Sequence, residues 1–277
     1  MGRTIVIANQ KGGVGKTTTA INLSASLADL GKKILVIDTD PQGNTSSGLG
    51  VEKNEVEDTV YELLIGETTI EECIQKEVFE NLDIISSNIN LAAAEIELTG
   101  FEEKEFILRK AVDQVRADYD FIIIDCPPSL NTLTINAMCA ADTVLVPIQC
   151  EYYALEGLSQ LMNTVELVRN RLNPNLEIEG VVFTMYDART NLSLQVVEGV
   201  AFTMYDARTN LSLEVVESVK SSLNRTIYKT IIPRNVRLAE APSYGMPITK
   251  YDARSTGAES YRLLAEEVIN RGNEEEW

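Results

Sequence analysis

Histidine is absent from all 277 residues of the chain, and this absence removes several kinds of chemistry together. Ser-His-Asp and Cys-His catalysis, histidine-ligated zinc and histidine pH switches all require an imidazole. Cysteine is scarce, and no two of the four cysteines form a CxxC pair. They lie in hydrophobic segments, which predicts buried, reduced residues of a cytoplasmic protein rather than disulfides or an iron–sulfur site. These residues are Cys73, Cys126, Cys139 and Cys150.

Basic residues and long apolar runs are also scarce. The chain has 24 lysines and arginines against 42 aspartates and glutamates, so its net charge is −18. Overall attraction to phosphate is therefore excluded, and nucleic-acid binding would need a local basic patch. No apolar run reaches the roughly 18 residues of a membrane span, and no signal segment is recognisable. The acidic C-terminal stretch differs from a basic amphipathic helix, so we expect no membrane association.

The apolar pattern that is present predicts the fold class. Seven short apolar runs lack the polar alternation of half-exposed strands, and helix-length segments separate them. This order predicts an α/β fold, with a mostly parallel sheet covered by helices on both faces, in a single domain over residues 1–277. The predicted strands are Thr4–Ala8, Lys33–Ile37, Leu82–Ile85, Phe121–Ile124, Thr143–Pro147, Ile178–Thr184 and Ile227–Ile232, and the clearest helices are Thr17–Leu30, Glu103–Ala117 and Ala154–Leu172.

A tandem duplication occupies residues 180–217. Two consecutive 19-residue copies differ only at Val182/Ala201 and at Gln195/Glu214. Nineteen residues rotate a helix by a remainder of about 100°, so one continuous helix could not bury the same face in both copies. We therefore expect one copy in the core and the other displaced, and a duplication without function is the alternative.

A phosphate-binding loop is predicted directly after the first strand. Thr4–Ala8 leads into Asn-Gln-Lys-Gly-Gly-Val-Gly-Lys-Thr-Thr and then into an apolar helix, the strand–loop–helix context that such loops require. Glycines let backbone N–H groups wrap phosphates, Lys16 neutralises their charge and the Thr17 hydroxyl can ligate Mg²⁺. Thr18 would donate to the α-phosphate. The candidate nucleotide-binding residues are Lys11, Gly12, Gly13, Val14, Gly15, Lys16, Thr17 and Thr18.

The loop departs from the standard pattern at Gln10, which stands where the first glycine belongs, and it carries a second lysine, Lys11. This spacing resembles the deviant Walker A motif of the ParA/MinD family of P-loop ATPases. The resemblance implies that Lys11 reaches across an ATP-dependent homodimer to the phosphates of the partner, where a cation in trans stabilises the transferring phosphoryl group. Lys11, Lys16 and Asp40 are the implied catalytic residues, with ATP and Mg²⁺ as cofactors.

Further segments extend the resemblance over most of the chain, and together they look like a small chromosomal ParA of the Soj type. They are residues 38–44, 121–129, 147–158 and 232–242, and the Met-Tyr-Asp-Ala-Arg-Thr-Asn-Leu-Ser sequence of the repeat.

The resemblance also assigns roles to polar residues in these segments. It implies that Asp40 positions the attacking water and that Asp125 holds Mg²⁺ through water. Asp38 would shape the loop that carries Asp40, and Pro233 and Asn235 match the adenine-contacting loop of the family. On the residues alone, a carboxylate at the end of a strand is as often a helix cap or a turn residue.

The segment from Lys220 to Arg254 has a net positive charge, opposite in sign to that of the whole chain, because it contains seven basic residues and two acidic ones. A solvated face with ordinary ion pairs is one interpretation. The resemblance implies the other, which is salt-sensitive binding to double-stranded DNA without sequence preference. Its arginines would be Arg237 and the repeated arginine, Arg189 or Arg208.

For the function, the resemblance implies a nucleoid-associated ATPase of chromosome or plasmid partitioning with weak basal activity, stimulated by a ParB-like partner. No helix-turn-helix sequence precedes the first strand, so we expect no operator binding. Two alternatives remain. One is an ATP-switched regulator of replication initiation with incidental turnover, and the other is a metabolic P-loop enzyme, against which Lys11 argues.

Overall fold

A computed structural model describes residues 2–150, 154–187 and 227–274. The strands within these ranges are β1 (Arg3–Ile7), β2 (Ile34–Asp38), β3 (Ile74–Phe79), β4 (Leu82–Ile85), β5 (Phe121–Asp125), β6 (Thr143–Gln149), β7 (Glu177–Tyr186) and β8 (Ile227–Pro233). They form one eight-stranded sheet in the order β3-β4-β2-β5-β1-β6-β7-β8, in which only the β3–β4 pairing is antiparallel.

Helices cover both faces of this sheet, because alternate side chains of the buried strands enter two different cores. The described helices are α1 (Lys16–Asp29), α2 (Asn44–Gly48), α3 (Val60–Ile65), α4 (Ile70–Cys73), α5 (Leu91–Glu97), α6 (Ile107–Val115), α7 (Thr132–Ala140), α8 (Ala154–Arg171), α9 (Val236–Glu240), α10 (Ile248–Tyr251) and α11 (Thr256–Glu274). Ile5 and Ile7 pack with α1 and α11, whereas Val6 packs with α6, α7 and α8. This confirms the predicted fold class.

None of the helices in the described part of the chain is both long enough and apolar enough to cross a bilayer. The four cysteines are buried and free of disulfides, as the sequence predicts.

Two elements differ from the sequence prediction. β3 was not predicted, because Lys76 and Glu77 interrupt its apolar residues and face outward on an antiparallel edge strand. The helix predicted over Glu103–Ala117 is shorter and runs from Ile107 to Val115, flanked by 3₁₀ turns. Glu103 has a φ of 51°, which a right-handed helix does not allow, so the α-helix begins later.

The first copy of the duplicated sequence supplies most of β7. Residues 180–186 pair with β6 on one side and with β8 on the other. Gly180 is required there, because a Cβ at this position would lie 2.4 Å from the Tyr228 ring. The second copy, residues 199–217, lies outside the described residues.

Candidate functional site

The loop between β1 and α1 has the backbone that a phosphate-binding loop needs. Gly13 and Gly15 have φ values of 75° and 88°, in the left-handed region that favours glycine. The Asn9 side chain fixes the entrance to the loop, because its Nδ2 donates to the Pro147 carbonyl at 2.8 Å and its Oδ1 accepts from the Lys11 N–H at 3.0 Å. The loop therefore ends with the N-terminus of α1 directed toward the site, where the helix dipole favours an anion.

Lys16, the first residue of α1, lies in this loop with only 7% of its surface exposed. Its Nζ donates to the Lys11 carbonyl at 3.0 Å. Burial lowers the pKa of Lys16, and the nearby carboxylate of Asp125 opposes that shift. The arrangement provides a desolvated cation beside backbone donors, which is the chemistry that recognises phosphate.

Two carboxylates face each other at the adjacent ends of β2 and β5, where Asp38 pairs with Asp125 in the sheet register. Both side chains are fully buried. The Oδ2 of Asp125 accepts from the Thr17 hydroxyl at 2.8 Å and from the Thr45 hydroxyl at 2.7 Å. Its Oδ1 has no hydrogen-bond partner among the described residues. Burial, followed by the charge of Asp38, raises the pKa of Asp125 to about 7.

Asp38 organises the loop that carries Asp40. Its Oδ1 accepts from the Asp40 N–H at 3.1 Å, and its Oδ2 accepts from the backbone and hydroxyl of Ser46, both at 2.8 Å. Burial raises the pKa of Asp38 to about 6, although these hydrogen bonds oppose the shift. Ser87, which follows β4, donates from its hydroxyl to the Asp40 carbonyl at 2.8 Å. These contacts give Asp38 the loop-shaping position that the resemblance implied.

A cavity of about 680 Å³ joins these groups, within the range typical of small-molecule sites. The two predicted lysines of the loop lie in different places. Lys16 lines the cavity, whereas Lys11 is half-buried at the loop entrance. Asp125 lies behind Thr17. The lining residues are Gly12, Gly13, Gly15, Lys16, Thr17, Thr18, Asp40, Pro41, Gln42, Asn44, Ile89, Ala92, Pro128 and Met185.

Pro233 and Asn235, predicted to contact adenine, do not line this cavity. Pro233 ends β8, and Asn235 caps α9 by accepting from the Arg237 N–H at 2.8 Å. The Asn235 Nδ2 also donates to the Thr256 hydroxyl at 2.8 Å. The structure thus gives Asn235 a helix-capping role, and adenine contact by this loop stays a prediction.

Several hydroxyl residues of the site were missed by the sequence analysis. Thr45 and Ser46 lie in the first turn of α2, after its N-cap Gly43, and a hydroxyl pair at that point was an available signal. Ser87 and Thr184 gave no signal, because Ser87 contacts the site from the segment after β4 and Thr184 from β7, both distant in sequence. Their pairing with the site is a product of the sheet order.

The predicted DNA surface is only partly described. Arg237 is exposed on α9, and its guanidinium lies 2.9 Å from Glu240 and 3.6 Å from Asp252. Part of its charge is therefore offset. Arg234 and Arg254 are exposed and make no ion pair within the described residues. Arg189 and Arg208 lie outside the described residues.

The donor set fits Mg²⁺ only together with a nucleotide. No group of three or more acidic or cysteine side chains suited to a metal occurs in the described part of the chain. Mg²⁺ is usually held by one or two protein groups plus substrate phosphates. The Thr17 hydroxyl and the buried, unpartnered Oδ1 of Asp125 are such groups, and they lie beside the loop that suits phosphate.

Comparison with known proteins gives consistent matches. Residues 2–178 match the family model described as "AAA domain". The chain is 54% identical over 272 residues to the sporulation initiation inhibitor protein Soj of Bacillus subtilis, covering 98% of this chain and 100% of that protein. It is 47% identical over 271 residues to the chromosome partitioning protein ParA of Myxococcus xanthus, covering 98% and 89%.

Solved structures with bound nucleotide resemble the fold. Cobyrinic acid a,c-diamide synthase of Mycobacterium smegmatis with ADP and magnesium has a TM-score of 0.79 at 32% identity, over 99% of this chain and 96% of that chain. MinD of Pyrococcus horikoshii with Mg-ADP has a TM-score of 0.74 at 26% identity, over 97% and 96%.

Proposed function

The chain belongs to the Soj/ParA family of P-loop ATPases, and from this premise we propose that it acts as a chromosome-partitioning ATPase switched by ATP. It hydrolyses ATP with Mg²⁺ as cofactor. The observation that carries the proposal is the convergence, in one cavity, of the glycine loop, Lys16, Thr17 and Asp40, with Asp125 directly behind them.

The phosphates of ATP would be held by the chain's own donors. Gly12, Gly13, Gly15 and Lys16 line the cavity, so their backbone N–H groups and the Lys16 ammonium would bind the negative charge of the phosphates. Thr17 and Asp125 would hold Mg²⁺, the latter through water. When bound, Mg²⁺ neutralises charge on the phosphate oxygens.

Asp40 is proposed to position the attacking water. It lines the cavity and is held by several contacts: its Oδ1 accepts from the Gln42 N–H at 2.9 Å, its carbonyl accepts from Ser87 at 2.8 Å, and its N–H donates to Asp38 at 3.1 Å. A carboxylate fixed in this way can orient a water without itself moving. Lys11 is proposed to complete the site of a second copy in an ATP-dependent homodimer.

Double-stranded DNA is the proposed binding partner of the dimer. The exposed Arg234, Arg237 and Arg254 support a local phosphate contact in an otherwise acidic protein. Arg189 or Arg208 would add to this surface, and Pro233 and Asn235 would contact adenine. We further propose that a ParB-like protein stimulates hydrolysis, and that the protein is cytoplasmic and associated with the nucleoid.

A gel-shift titration with ATP or ADP at two salt concentrations tests the proposed binding to double-stranded DNA. We expect binding with ATP only, weakening steeply with salt as counterions are released. Arg237→Glu should weaken it about 10-fold on any sequence and leave Mg·ATP affinity unchanged, as expected for loss of a phosphate contact.

Arg109→Glu is the matched control. Arg109 is a partly exposed arginine, 4.0 Å from Asp113 on α6, so its substitution changes the net charge equally at a different place. An equal effect of both substitutions, or equal binding with ATP and ADP, contradicts a specific DNA surface at Arg237.

The second candidate function is regulation of a cellular process other than partitioning, because the Bacillus subtilis relative is named as an inhibitor of sporulation initiation. The two functions differ in whether they require ATP hydrolysis. Partitioning requires hydrolysis that DNA and a ParB-like partner stimulate together. A regulator that acts through its ATP-bound state would function equally well as Asp40→Ala, which we expect to bind ATP and hydrolyse it slowly.

A further inference from the structure

Thr184, near the end of β7, connects that strand to the phosphate-binding loop. Its side chain is buried, and its hydroxyl donates to the Val14 carbonyl at 2.8 Å. Its own carbonyl accepts from the Cys150 N–H at 3.3 Å, which ties it to the end of β6. Thr184 is thus held by the sheet on one side and holds the loop on the other.

The carbonyl that Thr184 holds belongs to the peptide between Val14 and Gly15. In a planar trans peptide the C=O and the N–H point in opposite directions. When Thr184 fixes the Val14 carbonyl on the sheet side, the Gly15 N–H is directed away from the sheet. Gly15 lines the nucleotide cavity, so the hydrogen bond sets the direction of one backbone donor there.

The Thr184 side chain also lies close to Gly15. Gly15 has a φ of 88°, and a Cβ built on it would lie 3.7 Å from the Thr184 methyl group. The threonine side chain therefore lies alongside the N-cap glycine of α1. A residue without a hydroxyl at position 184 would leave a buried carbonyl without its donor, and the peptide would lose its fixed orientation.

The duplication gives this residue a counterpart in sequence. Thr203 stands 19 positions later, within the same Phe-Thr-Met-Tyr sequence. The pairing of residues 180–186 with β6 and β8 brings Thr184 to the loop. We propose that Thr184 is a positioning residue that aims the Gly15 N–H at the phosphates, and that the first copy of the duplication is the one that serves the nucleotide site.

Affinity for Mg·ADP, measured by isothermal titration calorimetry, tests the proposal with three variants of the full chain. Thr184→Val keeps the shape but removes the donor, and we expect about 5- to 10-fold weaker binding. Thr184→Ser keeps the donor, and its affinity should lie within about 2-fold of wild type. Thr203→Val makes the identical change in the second copy and should leave affinity unchanged.

Steady-state kinetics separate positioning from general destabilisation. Thr184→Val should raise KM for ATP with kcat within about 3-fold of wild type, because the lost interaction acts in binding. If Thr184→Val does not fold, Thr184→Ala and Thr184→Ser provide the comparison, because both lack the threonine methyl group and only serine keeps the hydroxyl.

Wild-type affinity of Thr184→Val, or an equal loss in Thr203→Val, overturns the inference. The inference rests on nucleotide binding by the proposed ATPase, and the two failures are distinguishable. A wild-type chain that does not bind Mg·ADP contradicts the proposed function itself, whereas normal wild-type binding with no effect at Thr184 contradicts only the positioning role.

Discussion

A carboxylate is buried at each end of the sheet, and the two carboxylates differ in how many of their oxygens accept hydrogen bonds. At the amino ends of the strands, Glu179 accepts from the Thr143 hydroxyl at 2.7 Å, from the Tyr228 hydroxyl at 2.6 Å and from Arg3. Arg271 donates to its carbonyl at 2.8 Å and lies over the Tyr228 ring. Both carboxylate oxygens of this group have donors.

At the carboxyl ends, Asp125 has donors on one oxygen only, and its other oxygen has no partner among the described residues. The charge of Asp38 lies beside it, and its pKa is raised to about 7. Buried carboxylates are costly unless they are hydrogen-bonded, so a half-paired carboxylate beside the phosphate-binding loop is the group that a ligand would complete. The paired cluster around the Glu179 carboxylate stabilises the sheet, whereas the half-paired Asp125 carboxylate belongs to the candidate site.

The largest effect is expected at the amino end. Glu179→Ala removes the carboxylate that pairs with Arg3 and leaves the buried Tyr228 hydroxyl without its acceptor, so the free energy of unfolding should fall by about 3–5 kcal/mol. Urea unfolding measures this. Glu177→Ala, two residues earlier on the same strand and exposed, is the control and should change stability by less than about 0.5 kcal/mol. A Glu179→Ala protein of near wild-type stability would mean that this cluster is not structural.

At the carboxyl end, Lys16→Ala should affect the ligand rather than the fold. Loss of a charge-assisted contact to phosphate is worth about 1.5–3 kcal/mol, so Mg·ATP affinity should fall roughly 10- to 150-fold. Stability without nucleotide should not fall, because a buried ammonium is removed. Lys11→Ala is the control in the same loop, since Lys11 is proposed to act on the partner's nucleotide. It should keep ATP affinity and lose ATP-dependent dimerisation, measured by light scattering.

Asp125→Asn tests the unsatisfied carboxylate through pH. The pKa of Asp125 is raised from 3.8 to about 7 in the folded chain, so that chain holds a proton which the unfolded chain has already lost. Stability without Mg²⁺ and nucleotide therefore falls as pH rises through this window. At about pH 8, Asp125→Asn should be more stable than wild type by about 1–3 kcal/mol, and the difference should vanish near pH 4.

Thermal unfolding at several pH values provides the measurement. Mg·ATP should reverse the order, because it stabilises only the chain that binds it. An Asp125→Asn protein that is less stable than wild type at every pH would place Asp125 in the same structural class as Glu179.

The sequence predicted the site at the carboxyl ends of the strands better than the cluster at their amino ends, because the residues of the two differ in their distance along the chain. The glycine loop, Lys16 and Thr17 are contiguous, so their spacing alone indicates phosphate chemistry. Asp125 ends an apolar strand that is equally visible. Thr184 lies 170 residues from Val14, and Glu179 lies 176 residues from Arg3, so only the sheet order joins them. Sequence periodicity predicts strands but does not order them.

The smallest effect concerns the strand that connects the two ends. Both copies of the duplication follow a glutamate, Glu179 or Glu198, and both carry the threonine that reaches the loop. Deletion of residues 180–198 or of 199–217 leaves two single-copy chains that differ only at Val182/Ala201 and Gln195/Glu214. We expect both chains to fold and to bind Mg·ADP, because each retains the groups required at both ends.

The chain that keeps Val182 should be the more stable of the two. Val182 is fully buried in β7, and alanine there removes two buried methyl groups, a loss of about 1–2 kcal/mol. Urea unfolding of the two deletions measures the difference. Val182→Ala in the 199–217 deletion is the control, and its stability should match that of the 180–198 deletion. If neither deletion folds, both copies are needed, and one copy does not suffice to connect the paired cluster to the nucleotide site.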